Sequence, residues 1–185
     1  MALLLAVAMS SVARAAGSDA ADAAERRDAV SLRALLGKKV NVNTPQADGT
    51  TALHWAVHWN DVESTRLLLR AGADPMARNR FGASPLSEAA ASGSADLVAA
   101  LLEAGADAKA LTTADGETVL MTAARAGNVD AVRMLIEHGA DVNARERYKG
   151  QTALMWAAAE RHPAVVKLLL ERGADWKVRS TDRET

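Results

Sequence analysis

The sequence predicts an all-α solenoid, a stack of helix-turn-helix units joined by short β-turn or hairpin loops. Three observations carry that prediction. The chain aligns on itself with a fixed period, the mark of a repeat architecture in which each unit covers its neighbour. Hydrophobic residues make up 49% of the 185 positions but aromatics only 3%, so the core must be built from Ala, Leu and Val in closely packed helices. Cysteine is absent, which removes disulfide staples, thiolate nucleophiles and Cys-ligated metal as sources of stability or chemistry.

The period is read from three ladders. The first runs Thr51 to Ala56, Ser84 to Ala89, Thr118 to Ala123 and Thr152 to Ala157, with starts 33, 34 and 34 residues apart. Gly72, Gly105, Gly139 and Gly173, each followed by Ala-Asp, keep the same step. Leucine-rich pairs just before each of these glycines form the third, at Leu67 to Leu69, Leu101, Leu135 and Leu168 to Leu170.

Taken from the N-terminus, the first element differs from the rest. Leu3 to Met9 is apolar and Ala13 to Ala15 forms a small-x-small triplet, so residues 1–15 are expected to be a signal peptide with a mature chain from about Ala16. The positive flank usual for such segments is missing. The apolar run is too short to span a bilayer, and no membrane span is expected in the mature chain. Export places the protein in the periplasm or outside the cell, with a cytoplasmic location as the alternative.

Within each unit, Thr or Ser at the first ladder position can cap a helix by accepting from a backbone N–H two or three residues on. Pro85 suits the first helical position, and Ala56, Ala89, Ala123 and Ala157 allow close helix packing. The first helix is expected to end at Asn60, Gly93, Gly127 and Arg161 on a left-handed residue, a conformation that suits Gly and Asn and not Arg161. Asp61, Ser94, Asn128 and His162 restart the second helix as caps, with Pro163 just inside the last one. The leucine stripe follows, and Gly72, Gly105, Gly139 and Gly173 terminate it. The recurring Asp74, Asp107, Asp141 and Asp175 are expected to fix the loops.

This pattern resembles the ankyrin repeat, a helix-turn-helix plus β-turn unit of about 33 residues with a Thr-Pro-Leu-His-x-Ala motif. Units fall at about 18–45, 46–78, 79–112, 113–146 and 147–179, the first degenerate, within a repeat domain of residues 16–185. Together with the export segment, this implies a bacterial-type, exported ankyrin protein of five repeats. In the motif, Pro is kept only at Pro85 and His only at His54. The end after Asp175 is expected to be uncapped. Either the natural protein continues, the favoured reading, or Trp176 folds back over Val165, Val166 and Leu168 to Leu170.

Candidate chemistry is sparse. His54 and His58 share one side of a predicted helix, but zinc would need a third ligand that no Cys or Glu motif supplies. The resemblance makes His54 the structural histidine bonding near Thr51 and places His58 on the concave face. His138 and His162 fall at helix termini. No Ser-His-Asp set or phosphate loop can be assembled, so no catalysis, cofactor or metal is expected. The net charge of −1 argues against a nucleic-acid coat, which needs clustered Lys and Arg.

What remains is recognition of another protein by a monomeric array. The ankyrin resemblance assigns variable contact positions to the loop tips and to the close of each first helix. On this chain they include His58 and Trp59, then Arg80, Phe81, Ala91 and Ser92. The third unit adds Asp115, Glu117, Arg125 and Ala126, and the fourth adds Tyr148, Lys149, Ala159 and Glu160. With Arg78 beside them, the expected partner-binding residues are His58, Trp59, Arg78, Arg80, Phe81, Arg125, Tyr148, Lys149 and Glu160. Trp59, Phe81 and Tyr148 are the expected anchors, because aromatics and Arg dominate interface energetics. Trp55 and Trp156 are expected to pack between helices. The alternative function is a docking arm of a larger protein whose activity lies outside this chain.

Overall fold

The computed structural model describes residues 18–181; the expected signal peptide lies outside them. The described residues form ten helices. They are α1 (Asp19–Glu25), α2 (Ala29–Gly37), α3 (Ala52–His58), α4 (Val62–Arg70), α5 (Pro85–Ser92), α6 (Ala95–Glu103), α7 (Val119–Ala126), α8 (Val129–Glu137), α9 (Ala153–Ala159) and α10 (Pro163–Glu171). Consecutive helices pair, and the pairs stack in two layers. In one, α1, α3, α5, α7 and α9 touch in order; in the other, α4, α6, α8 and α10 do. The all-α solenoid read from the sequence is the fold, and the degenerate first unit makes a full helix pair.

Packing follows the ladders. Ala56, Ala89, Ala123 and Ala157 are buried between first-layer helices, while Leu68, Leu101, Leu135 and Leu169 are buried behind them. A methyl side chain at each first-layer contact brings the backbones close, so dispersion contacts replace the ring area that this chain lacks.

Capping is repeated but not uniform. The Ser84 and Ser87 hydroxyls each accept from the other's backbone N–H, at 3.2 and 2.9 Å. Thr118 Oγ1 accepts from Met121 N at 3.2 Å, and Thr152 Oγ1 from Met155 N at 3.4 Å. Before the second helices, Asp28, Asp61 and Asn128 each accept from a backbone N–H three residues on at 2.9 Å. Ser94 and His162, expected to cap in the same way, occupy that position without a side-chain cap.

The left-handed positions also recur. Asn60, Gly93 and Gly127 have φ of 53°, 68° and 82°, as expected. Arg161 adopts 60° as well, although its side chain does not favour it, and Arg27 in the first pair adopts 57°. The stack imposes the conformation on whatever residue stands there.

Loops are fixed by their aspartates. Asp74, Asp107, Asp141 and Asp175 each accept through Oδ1 from the backbone N–H two residues on, at 2.8 to 2.9 Å. Hairpin-closing bonds join Gln46 N to Thr50 O, Asn79 N to Ala83 O, Thr112 N to Glu117 O and Glu146 N to Gln151 O. Pairing beyond these closures is limited to one bridge, Leu111 with Thr118, among the described residues. No described helix is long and apolar enough to cross a membrane.

At the last pair, Val165, Leu168 and Leu169 are buried, but Leu170 is exposed and Val166 only half-buried. Trp176 does not fold back as cover; it is 71% exposed with the Lys177 ammonium over its ring.

Candidate functional site

The first-layer helices turn one row of side chains away from the second layer. At the α3 end of that row, Trp55 and Trp59, four residues apart on one helix face, stack with centroids 6.4 Å apart and planes 18° from parallel. The exposed His58 ring stands edge-on to both, at 5.6 and 4.8 Å. The cluster is fixed by the first pair. Trp55 Nε1 donates to Gln46 Oε1 at 2.8 Å, and Gln46 Nε2 donates to Asp22 Oδ1 and Glu25 Oε2. Trp59 Nε1 donates to the Glu25 carbonyl at 3.1 Å, with the Arg27 guanidinium over the indole at 5.5 Å. His58 and Trp59 are thus brought together, and the half-buried Trp55, expected in the core, both packs on the core and joins them.

His54, by contrast, is buried. Its Nδ1 lies 3.3 Å from the donating Thr51 N, and its Nε2 lies 3.1 Å from the Ala83 carbonyl. With a backbone donor at Nδ1 and a backbone acceptor at Nε2, the fitting species is the neutral Nε2–H tautomer. Burial pushes its pKa below the ordinary histidine value. Both ring nitrogens being engaged, His54 has no lone pair to offer a metal.

The hairpin tips alternate in character. The first and third carry Asp48 and Asp115; the second and fourth carry Arg80 with Phe81 and Tyr148 with Lys149. Phe81 is 72% and Tyr148 75% exposed. Each has its own neighbour's cation over the ring, Arg80 at 4.8 Å and Lys149 at 5.7 Å. Tips are bonded in twos: Arg80 N donates to Asp48 O at 2.8 Å, and Arg147 N to Asp115 O at 2.6 Å. Gly49 permits the first of these approaches. Its φ is 84°, and a Cβ there would stand 3.0 Å from Asn79 Cα. The fourth tip is tied down by Glu146, whose carboxylate accepts from the N–H groups of Tyr148, Lys149 and Gln151. Burial raises its pKa, but the backbone donors outweigh that and leave it below the usual glutamate value.

Arg78 sits differently from the other expected contact residues. Its guanidinium donates to the carbonyls of Gly82 and Leu111, bracing two hairpins, as Arg145 does with Gly150 and Arg179. Arg125 lies across the Trp156 ring at 5.2 Å with Nη2 3.3 Å from Glu117 Oε1. Glu117 also accepts from Thr122 Oγ1 at 3.0 Å. Glu160 closes α9 as its C-cap and is exposed. Trp156 Nε1 is buried with no acceptor. It lacks what Gln46 gives Trp55, because Glu146, in the corresponding hairpin position, is engaged by its own loop.

Sequence reasoning missed Arg27, Trp55, Trp156 and Glu88 as contributors to this face. The signal was present in the ladder itself, since Trp55, Glu88, Thr122 and Trp156 are 33, 34 and 34 residues apart on one row.

The geometry agrees with what the chain is similar to. The family model for ankyrin repeats, in three copies, matches residues 20–112 and 86–180. Protein phosphatase 1 regulatory subunit 27 of Homo sapiens is 36% identical over 85 residues, covering 46% of this chain and 54% of that protein. Its Mus musculus counterpart is 36% identical over 75 residues, 40% of this chain and 49% of that one. Palmitoyltransferase AKR1 of Candida albicans is 40% identical over 70 residues, 38% of this chain but 9% of the enzyme. The chain spans about half the length of the first two and a small part of the third. Ten paired helices among the described residues, a repeating Gly-Ala-Asp loop and a family match running from the first helix pair through the last place this chain in the ankyrin repeat family.

Proposed function

We propose that this chain is a monomeric protein-binding module, without catalysis of its own, that docks a partner protein along its concave first-layer face and hairpin tips. Ankyrin repeats generally mediate protein–protein interaction, and the regulatory-subunit relative fits a binding role. The carrying observation is the placement of the exposed rings. In a chain of six aromatics, Trp59, Phe81 and Tyr148 stand at the groove or its tips, each under a cation. Rigid aromatics braced by a guanidinium or ammonium offer large apolar area at small entropic cost. The test is affinity capture from the native compartment with the chain and with its Trp59→Ala, Phe81→Ala, Tyr148→Ala variant. Loss of one partner, with the melting curve kept, is expected; unchanged capture overturns the reading.

Export through residues 1–15 belongs to the same proposal and is tested by N-terminal sequencing of the mature protein, which should begin near Ala16. A second reading, a docking arm of a larger protein, is favoured by relatives such as the palmitoyltransferase, in which the matched stretch is a small part of a longer enzyme.

A further inference from the structure

The row Trp55, Glu88, Thr122 and Trp156 floors the groove, and two of its members have their polar groups bonded within the chain. Trp55 Nε1 is bonded to Gln46. Thr122 Oγ1 donates to Glu117, whereas Trp156 lies under Arg125 with its enclosed Nε1 lacking an acceptor. Glu88 is the one carboxylate of the row. It is half-buried on α5, and its Oε2 is enclosed with no hydrogen-bond donor. Burial pushes its carboxyl pKa up, and the one countering charge is His58, from α3. Ala91 and Ser92, one turn on along α5, and Ala126, one turn past Thr122 on α7, are small and exposed.

A carboxylate with one oxygen enclosed and no donor is poorly solvated, and an N–H donor reaching its other oxygen offsets part of what burial removed. A cation adds charge assistance, and indole faces on the adjacent rung favour both a cation and the aliphatic stem that carries it. We infer that Glu88 is the specificity point of the groove, receiving a lysine or arginine side chain of the partner protein, with its stem laid toward Trp55 and the head group on the carboxylate. This rests on the concave-face reading above and names the chemistry recognised there.

The test is an NMR titration of the full chain, following the indole N–H resonances of Trp55 and Trp59. The probes are acetyl-Ala-X-Ala-amide peptides, with X lysine, arginine, norleucine or glutamate. A saturable shift with lysine or arginine is expected below about 10 mM, a range suited to so small a ligand. Binding of norleucine should be about tenfold weaker or less, in line with loss of one charge-assisted bond. Glu88→Gln should abolish the preference for the cation while leaving the fold intact by the dispersion of the same spectrum. The stronger of the lysine and arginine arms identifies the head group. Equal binding of norleucine, a preference that survives in Glu88→Gln, or no saturable shift with any peptide overturns the inference. Partner capture that depends on Trp59, Phe81 and Tyr148 alongside any of these results would leave the docking surface standing and remove only the role of Glu88.

Discussion

His162 does not cap the helix it precedes; its Nε2 donates across to the carbonyl of Arg125, 2.9 Å away in the neighbouring helix pair. Gly127 makes the crossing possible. A Cβ there would lie 2.5 Å from His162 Cε1, and its φ of 82° is one that other residues adopt only under strain. Asn128 makes the same crossing one pair earlier, donating to Gly93 O at 2.7 Å. Adjacent pairs are therefore joined by directed bonds as well as by apolar contact.

Gly127→Ala should lower stability by about 1–3 kcal/mol, from left-handed strain together with eviction of the imidazole. His162→Ala should lose about 1 kcal/mol. Because the first change already displaces the ring, the double variant should lose less than the sum in urea titrations. Strict additivity would show that the ring is not held by that bond.

A second cross-bond is present at two interfaces and missing at two. Asn43 donates to Gly72 O and accepts from Asp74 N, at 2.9 and 2.8 Å. Asn143 does the same with Gly173 O and Asp175 N, at 3.0 and 2.8 Å. Met76 and Lys109 hold the equivalent rungs. Asn143→Ala should destabilise by about 1 kcal/mol, and Met76→Asn and Lys109→Asn should each stabilise by a similar amount. Thermal midpoints of the three variants check this; a lower midpoint for both asparagine insertions would contradict it.

Arg161 holds φ of 60° in a row where Gly93 and Gly127 have the suited residue. Arg161→Gly should stabilise by about 1 kcal/mol, since the relief of strain exceeds the entropy glycine adds to the unfolded chain. The same change at Ser92, inside α5, should destabilise, which makes it the control.

The buried His54 gives stability a pH dependence of known sign. Its folded pKa lies below the ordinary value of 6.5 because burial disfavours the imidazolium. Between the two values the unfolded chain binds a proton that the folded chain does not, so stability is full above about 6.5 and falls as pH drops through that value. Urea midpoints should decrease from pH 7.5 to 5.5, and His54→Gln should flatten that slope whatever its effect at pH 7.5. An unchanged slope in the variant would place the titration elsewhere.

Most of the fold was legible because its determinants are local and repeated. Ala56, Leu68 and Gly72 each recur at one spacing, and backbone requirements at turns admit few residue types. Exceptions such as Arg161 were legible as exceptions, though their outcome depends on neighbours that a single unit does not reveal. The site was less so. The sequence marked Phe81 and Tyr148 by position, but that Arg80 and Lys149 cover them is a matter of side-chain direction. Arg78 reads as a free tip charge until the Leu111 carbonyl, a full unit away, is seen to accept from it. Glu88 was overlooked because a single carboxylate on a helix is ordinary; only the absence of a donor around its buried oxygen sets it apart.

The central claim is that the concave face and tips, not the second-layer helices, meet the partner. Site-specific photo-crosslinking tests it most directly, with a benzophenone side chain placed in turn at Phe81, Tyr148 and Ala91, and at the exposed Arg66 and Asp130 of α4 and α8. Adducts to one common protein from the first three positions, and none from the last two, are predicted. Adducts formed from Arg66 and Asp130 while Phe81, Tyr148 and Ala91 stay silent would contradict the account.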